Sequence, residues 1–215
     1  MGLFIVRGDM RGRGLGRELW QWRRDRLLSR LEPGATIGMD GVYEVVPFYE
    51  RGGFRAVHRH VRYQGTAAGS PSAHAVVLDA ESWDEIERFD RRFVATPRPA
   101  FLRAWIAQPG TTVVGVRHDG LLTACGVARP CVTGIKIGPL FADDAAAAQA
   151  VVQSLMAMHD GQQVQIDVPD VNAAAVNLAR DFGLTETFGC VRLYHGPAPP
   201  LPLDSIYGVT SLEFG

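Results

Sequence analysis

Residues 11–16 read Arg-Gly-Arg-Gly-Leu-Gly, and this run constrains the chain more than any other stretch. The apolar residues Leu3-Phe4-Ile5-Val6 predict a strand that feeds this basic, glycine-rich turn. The turn then opens into a helix near Arg17-Glu18-Leu19-Trp20. Such an arrangement suits a phosphate. Gly12, Gly14 and Gly16 let the backbone come close to an anion, and the first N–H groups of a helix find no acceptor within it. The helix N-terminus adds partial positive charge, and Arg7, Arg11 and Arg13 add formal charge.

Two common phosphate loops are excluded. A P-loop needs Lys and then Ser or Thr after its last glycine, whereas Arg17-Glu18 follow Gly16. A dinucleotide turn needs Gly-x-Gly-x-x-Gly, and the spacing of Gly12, Gly14 and Gly16 does not supply it. The pattern that remains is Arg-x-x-Gly-x-Gly on Arg11, Gly14 and Gly16, which resembles the pyrophosphate-binding loop of the GNAT superfamily of N-acetyltransferases. A second motif strengthens the resemblance. Residues 47–55, Pro-Phe-Tyr-Glu-Arg-Gly-Gly-Phe-Arg, are similar to the Phe-Tyr-Glu-x-x-Gly-Phe that closes the last core helix of that family. Between the motifs lie a helix of about four turns and a short strand at residues 35–39. The resemblance covers residues 2–63.

The resemblance implies acetyl-CoA as co-substrate, a small-molecule or peptide amine as acceptor, and direct attack without a metal or covalent intermediate. The contacts it implies for acetyl-CoA fall on Phe4, Ile5 and Val6 of the strand and on Arg11, Gly12, Arg13, Gly14, Leu15 and Gly16 of the loop. A backbone N–H near Phe4 to Val6 would polarise the thioester carbonyl. Tyr49 takes the place of the family's proton donor to the leaving thiolate, and a phenol near pKa 10 suits that task. No general base for the amine is legible in the sequence.

Residues 65–73, Gly-Thr-Ala-Ala-Gly-Ser-Pro-Ser-Ala, read as a linker. Beyond it, hydrophobic periodicity predicts a strand at 74–78, helices at 79–93 and 99–108, and strands at 111–116 and 121–128 joined through Asp119-Gly120. A strand ending at Phe141 follows, then a helix at 145–158, a strand at 164–168, a helix at 172–182, and strands at 186–194 and 207–214. That order resembles a complete GNAT domain. The expected fold is therefore α/β with mixed sheets: two tandem GNAT-like acyl-CoA N-acyltransferase domains, residues 1–64 (incomplete) and 74–215. Residues 137–144 and 207–215 resemble the C-terminal domain of the bacterial YitH-like tandem acetyltransferases. In the second part, Asp143 and Asp144 fill the place of the phosphate loop, and one or the other is expected to cap the next helix. Ala179 stands where Tyr49 stands in the first part, so the first part alone is expected to hold acetyl-CoA.

The missing early strands imply an N-terminally truncated domain, and they would leave strand 3–6 as an exposed apolar edge open to a second copy of the chain. They also raise an alternative, an inactive module that binds acyl-CoA or a partner. Net charge is −1, so a general attraction to nucleic acid or an anionic membrane is unsupported. No apolar run approaches membrane-spanning length, and a cytoplasmic location is expected. The three cysteines, Cys125, Cys131 and Cys190, form no C-x-x-C pair and each falls in a predicted strand. His58 and His60 share one strand face, which is expected to be solvated rather than metal-binding.

Overall fold

The glycine-rich turn gives way to a helix where the sequence places it. Gly14, at φ +81°, is the N-cap of α1 (Leu15–Leu28), and Gly12 takes φ +75°. Side chains are strained at these angles, which accounts for glycine at both positions. The coordinates are a computed structural model that describes residues 5–214. Ile5 and Val6 lie outside any strand, because no neighbour among the described residues offers them a hydrogen-bonded ladder. Leu3 and Phe4, the other half of that expected strand, lie outside the described residues.

Next come β1 (Ile37–Val42), α2 (Val46–Arg51) and β2 (Arg55–Thr66). Pro47 sits in the first turn of α2, where its missing N–H has no intrahelical acceptor to lose. The later elements are β3 (Ala75–Val77), α3 (Trp83–Asp90), α4 (Pro99–Ile106), β4 (Thr112–His118), β5 (Leu121–Pro130) and β6 (Ile135–Ala142). They are followed by α5 (Ala145–Met158), β7 (Gln163–Pro169), α6 (Ala173–Asp181), β8 (Thr185–His195) and β9 (Ile206–Gly208). Asp119 and Gly120 turn β4 into β5 with φ of +50° and +77°, the twist that a two-residue hairpin requires.

Among the described residues the strands form one nine-stranded sheet in the order β1-β8-β2-β7-β6-β5-β4-β3, with β9 beside β6. β6 and β7 are parallel, while β2 runs antiparallel between β7 and β8. The fold is thus mixed α/β, and β2 joins the early elements to the later ones in a shared sheet. This changes two expectations. Gly65 and Thr66 belong to β2, and Ala67 beyond them is buried at 1% exposure, because the backbone of β2 continues along β7 to Gln163. The final strand covers only Ile206–Gly208; the chain then turns inward, with Val209 N–H donating to Asp167 O at 2.9 Å.

Three apolar clusters hold the sheet's faces. Val61, Ile137, Leu140 and Val164 pack against Val151 and Leu155 of α5. Val127 and Phe141 meet Phe89, Phe93, Leu102 and Trp105 from the α3–α4 region. Trp20 of α1, Ile37 and Met39 of β1, Tyr49 of α2, Phe54 and Leu193 form the third. Each large side chain fully buried there contributes about 1.5–3 kcal/mol. Cys125 and Cys190 are buried in β5 and β8 as expected, whereas Cys131 lies just past β5 and is partly exposed.

Candidate active site

Among the described residues no side chain caps the N-terminus of α1, and Glu18 N–H makes a backbone bond back to Gly14 O at 3.2 Å. A Cβ added at Gly12 or Gly14 would meet nothing within 4 Å, so the space beside the turn is open. Arg11 Nε donates to Val6 O at 3.0 Å, folding the turn back on the residues before it. Arg7 is paired with Asp9 at 2.6 Å, which takes part of the expected positive charge out of play. Arg13, Leu15 and Gly16 complete the turn and enter α1.

The start of α5 is different. Asp144 caps it, accepting from Ala147 N–H at 2.8 Å, while Asp143 pairs with Arg92. β6 and β7 pair only over Ile135–Ile137 with Val164–Ile166, and β9 then lies along β6 at Leu140 and Phe141. This helix start already holds a capping carboxylate, whereas the N-cap of α1 is Gly14, which offers none; Glu18 is the acidic residue of the first turn of α1.

Tyr49 is buried at 9% exposure. Its ring centroid lies 6.0 Å from that of Trp20, in the second turn of α1, and 5.6 Å from that of Phe48. Burial, with a smaller contribution from Cys190, raises its pKa above the usual phenol value. The ring packs with Ile37, Met39 and Leu193, on one face of the sheet.

The opposite face carries a group that sequence reasoning missed. Gly38 and Asp40 alternate with Ile37 and Met39, and they pair with Tyr194 and Arg192 of β8. Arg192 Nη1 donates to Asp40 Oδ2 at 2.7 Å. His60 Nδ1 lies 2.8 Å from Asp40 Oδ1, and His58 and His60 bring their Nε2 atoms within 3.0 Å of each other. The two histidines are not a solvated face: they are 9% and 3% exposed, because the sheet continues past them on both sides through β7 and β8. Three of these buried atoms, Asp40 Oδ1, His58 Nδ1 and His60 Nδ1, have no well-aligned hydrogen-bond partner among the described residues. The 2.8 Å contact is therefore close but poorly directed. Burial, followed by the neighbouring charges of His60 and Arg192, lowers the pKa of His58 to about 4. The ring is uncharged at neutral pH. The i, i+2 spacing of the histidines was visible in the sequence, but Asp40 and Arg192 come from strands 18 and 134 residues away from His58 (58 − 40 and 192 − 58).

Of these groups, His58, His60 and Arg192 border a cavity of about 580 Å³. Its walls include Thr36 and Gly38 from the early segment, Phe93 and Arg98 from the α3–α4 connection, and Phe141, Leu203, Ile206 and Phe214. Arg98 is clamped on Asp90 at 2.7 and 3.0 Å and on Thr210 at 2.8 Å. Asn172 holds another wall: its side chain caps α6 and donates to the carbonyls of Leu203, Asp204 and Ile206 at 3.0–3.2 Å. No three of the described His, Cys, Asp and Glu residues converge as a metal site, and no described helix is long and apolar enough to cross a membrane.

Known proteins share this architecture. Residues 86–208 match one model of the acetyltransferase (GNAT) domain, and residues 1–68 match a second. A holothin acyltransferase from a Pseudoalteromonas strain is 29% identical over 222 aligned positions, covering 100% of this chain and 72% of that protein. Among solved structures, a provisionally named acetyltransferase from Pyrococcus horikoshii superposes with a TM-score of 0.79 at 23% identity, covering 98% of this chain and 69% of that one. A GCN5-related N-acetyltransferase from Sphaerobacter thermophilus gives 0.65 at 15% identity, over 90% and 72% of the two chains. The solved structures share the fold, and the GNAT domain model matched over more than half of the sequence establishes that the chain belongs to the GNAT acetyltransferase superfamily.

Proposed function

We propose that this chain is an N-acyltransferase that moves the acetyl group of acetyl-CoA onto the amine of a small molecule. The observation that carries the reading is the start of α1, an uncapped helix N-terminus reached through Gly12 and Gly14 with open space beside them. Backbone N–H groups and the helix dipole there suit a pyrophosphate, with Arg11 and Arg13 adjacent. Phe4, Ile5, Val6, Leu15 and Gly16 complete the proposed acetyl-CoA contacts. The α5 start, already capped by Asp144, supports a single donor site. The match of two successive segments to GNAT models supports a tandem origin of the YitH-like type, its two halves sharing one sheet.

The amine nitrogen attacks the thioester carbonyl carbon, the C–S bond breaks, and the leaving thiolate takes a proton. Tyr49 is the proposed donor, and its raised pKa keeps the phenol protonated at neutral pH. The cavity is of ordinary size for a small-molecule site (roughly 300–1,000 Å³).

The test is free-thiol release from acetyl-CoA against a panel of amines, with product mass read in parallel. Amine-dependent thiol release and an acetylated product are expected. Binding of acetyl-CoA without turnover on any amine would favour the acyl-CoA-binding module instead.

A further inference from the structure

The segment that follows β9 is pinned along its length. Val209 N–H donates to Asp167 O at 2.9 Å, and Leu212 N–H donates to Asp167 Oδ2 at 3.2 Å. Between them Thr210 Oγ1 accepts from Arg98 Nη1 at 2.8 Å, and Arg98 is itself clamped on Asp90. Residues 206–212 are buried throughout. The chain then turns back, with Phe214 N–H donating to Ser211 O at 3.1 Å, and the Phe214 ring emerges at 56% exposure. Its centroid lies 5.1 Å from that of Phe101 and 5.8 Å from that of Trp105. Neither of those rings borders the cavity, whereas Phe214 does. The Phe214 ring is thus braced from outside the cavity and offered to it.

Burial separates Phe214 from the other rings of the lining. Phe93, Phe141 and Tyr194 also border the cavity, but at 3–5% exposure their surface is already taken by the core. Phe214 keeps area for an incoming group. Leu31, at 38% exposure, adds a second accessible apolar surface from the segment after α1. The guanidinium groups of the lining are each paired with a carboxylate, Arg98 with Asp90 and Arg192 with Asp40. What an entering molecule gains here is contact with apolar surface, and a ring set against Phe214 gains it with the added preference of one aromatic face or edge for another.

We infer that the cavity takes amines that carry an aromatic ring, and that Phe214 selects them by packing on that ring. The inference rests on the acyltransferase reading, with the cavity as the acceptor site. Selection of this kind acts on binding. The ring lies away from the reacting nitrogen and is held equally before and during acyl transfer, so it changes KM rather than kcat.

The experiment compares 3-phenylpropylamine with propylamine as acceptors for acetyl-CoA at one pH. The ring is remote from the nitrogen, so the basicity of the two amines is closely matched. KM for 3-phenylpropylamine is expected to be lower by about tenfold or more, the effect of burying a ring, with similar kcat. Phe214→Ala should raise that KM about tenfold and bring the two amines near parity, with acetyl-CoA affinity unchanged. Phe214→Tyr keeps a ring and should keep the preference. Equal KM values in the native chain, or a preference that survives in Phe214→Ala, would overturn the inference while leaving the acyltransferase reading intact. Calorimetric titration with 3-phenylpropylamine decides the case in which neither amine is acetylated. Binding that weakens about tenfold in Phe214→Ala would keep the cavity assignment and count against the acyltransferase reading. No binding, or equal binding by both proteins, would overturn the inference.

Discussion

His58 and His60 face one another at 3.0 Å between Nε2 atoms, where the early strands β1 and β2 and the late strand β8 all contribute polar side chains to one face. His58 makes stability depend on pH in a window of its own. In the unfolded chain a histidine takes up a proton near pH 6.5, but His58 in the fold does so only near pH 4. Between these values the unfolded state binds more protons, so stability is full above about pH 6.5 and falls as the pH drops towards 4. The melting temperature of His58→Asn should therefore fall less between pH 7 and pH 4.5 than that of the native chain. Asp167 and Asp170, whose pKa values are lowered from 3.8, add their losses at lower pH.

Asp167 is fully buried and ties three segments together. It accepts from Arg62 of β2 at 2.7 and 3.0 Å, from Lys136 of β6, and from the N–H of Leu212 at 3.2 Å. Burial alone would raise its pKa, but the Arg62 hydrogen bond and the Lys136 charge outweigh it and lower it. Asp167→Ala strands Lys136, itself only 5% exposed, without its counter-charge. A loss of about 3–5 kcal/mol is expected in chemical denaturation. Replacing Lys136 with Met in the same chain should restore part of it.

Asn172 links helix α6 to the cavity wall. Its Oδ1 accepts from Ala175 N–H at 3.0 Å, while Nδ2 donates to three carbonyls of residues 203–206. Asn172→Ala should cost about 1–2 kcal/mol through the lost cap and loosen that wall. The expected kinetic signature is a raised KM for the acceptor with acetyl-CoA affinity unchanged.

Tyr49→Phe removes one oxygen from a ring that packs against Trp20 and Phe48. The core contacts remain, so the melting temperature should move little. If the phenol protonates the thiolate, kcat falls about 10²–10⁴-fold with acetyl-CoA affinity nearly intact. Unchanged kcat would assign Tyr49 to packing alone.

The sequence made the local elements legible wherever a strong local signal existed. Gly14 before an amphipathic stretch, Asp144 before an alanine run, Asn172 before α6 and Asp119-Gly120 between two strands each act within a few residues, and each appears where expected. The shared sheet was not legible, because β2 takes its neighbours β7 and β8 from more than 90 residues later, and no local pattern encodes that choice. The polar cluster was hidden for the same reason. His58 and His60 resemble a solvated strand face until β8 brings Arg192, and β1 brings Asp40, onto their side.

Calorimetric titration of the chain with acetyl-CoA tests whether the start of α1 holds the acyl donor, as proposed. One site of micromolar affinity, about −8 kcal/mol, is expected, weakened about tenfold or more in Gly14→Ala. A side chain there meets no atom but must adopt φ near +81°, which distorts the turn rather than the core. No binding by the folded native chain, or equal binding by native and Gly14→Ala, would contradict it.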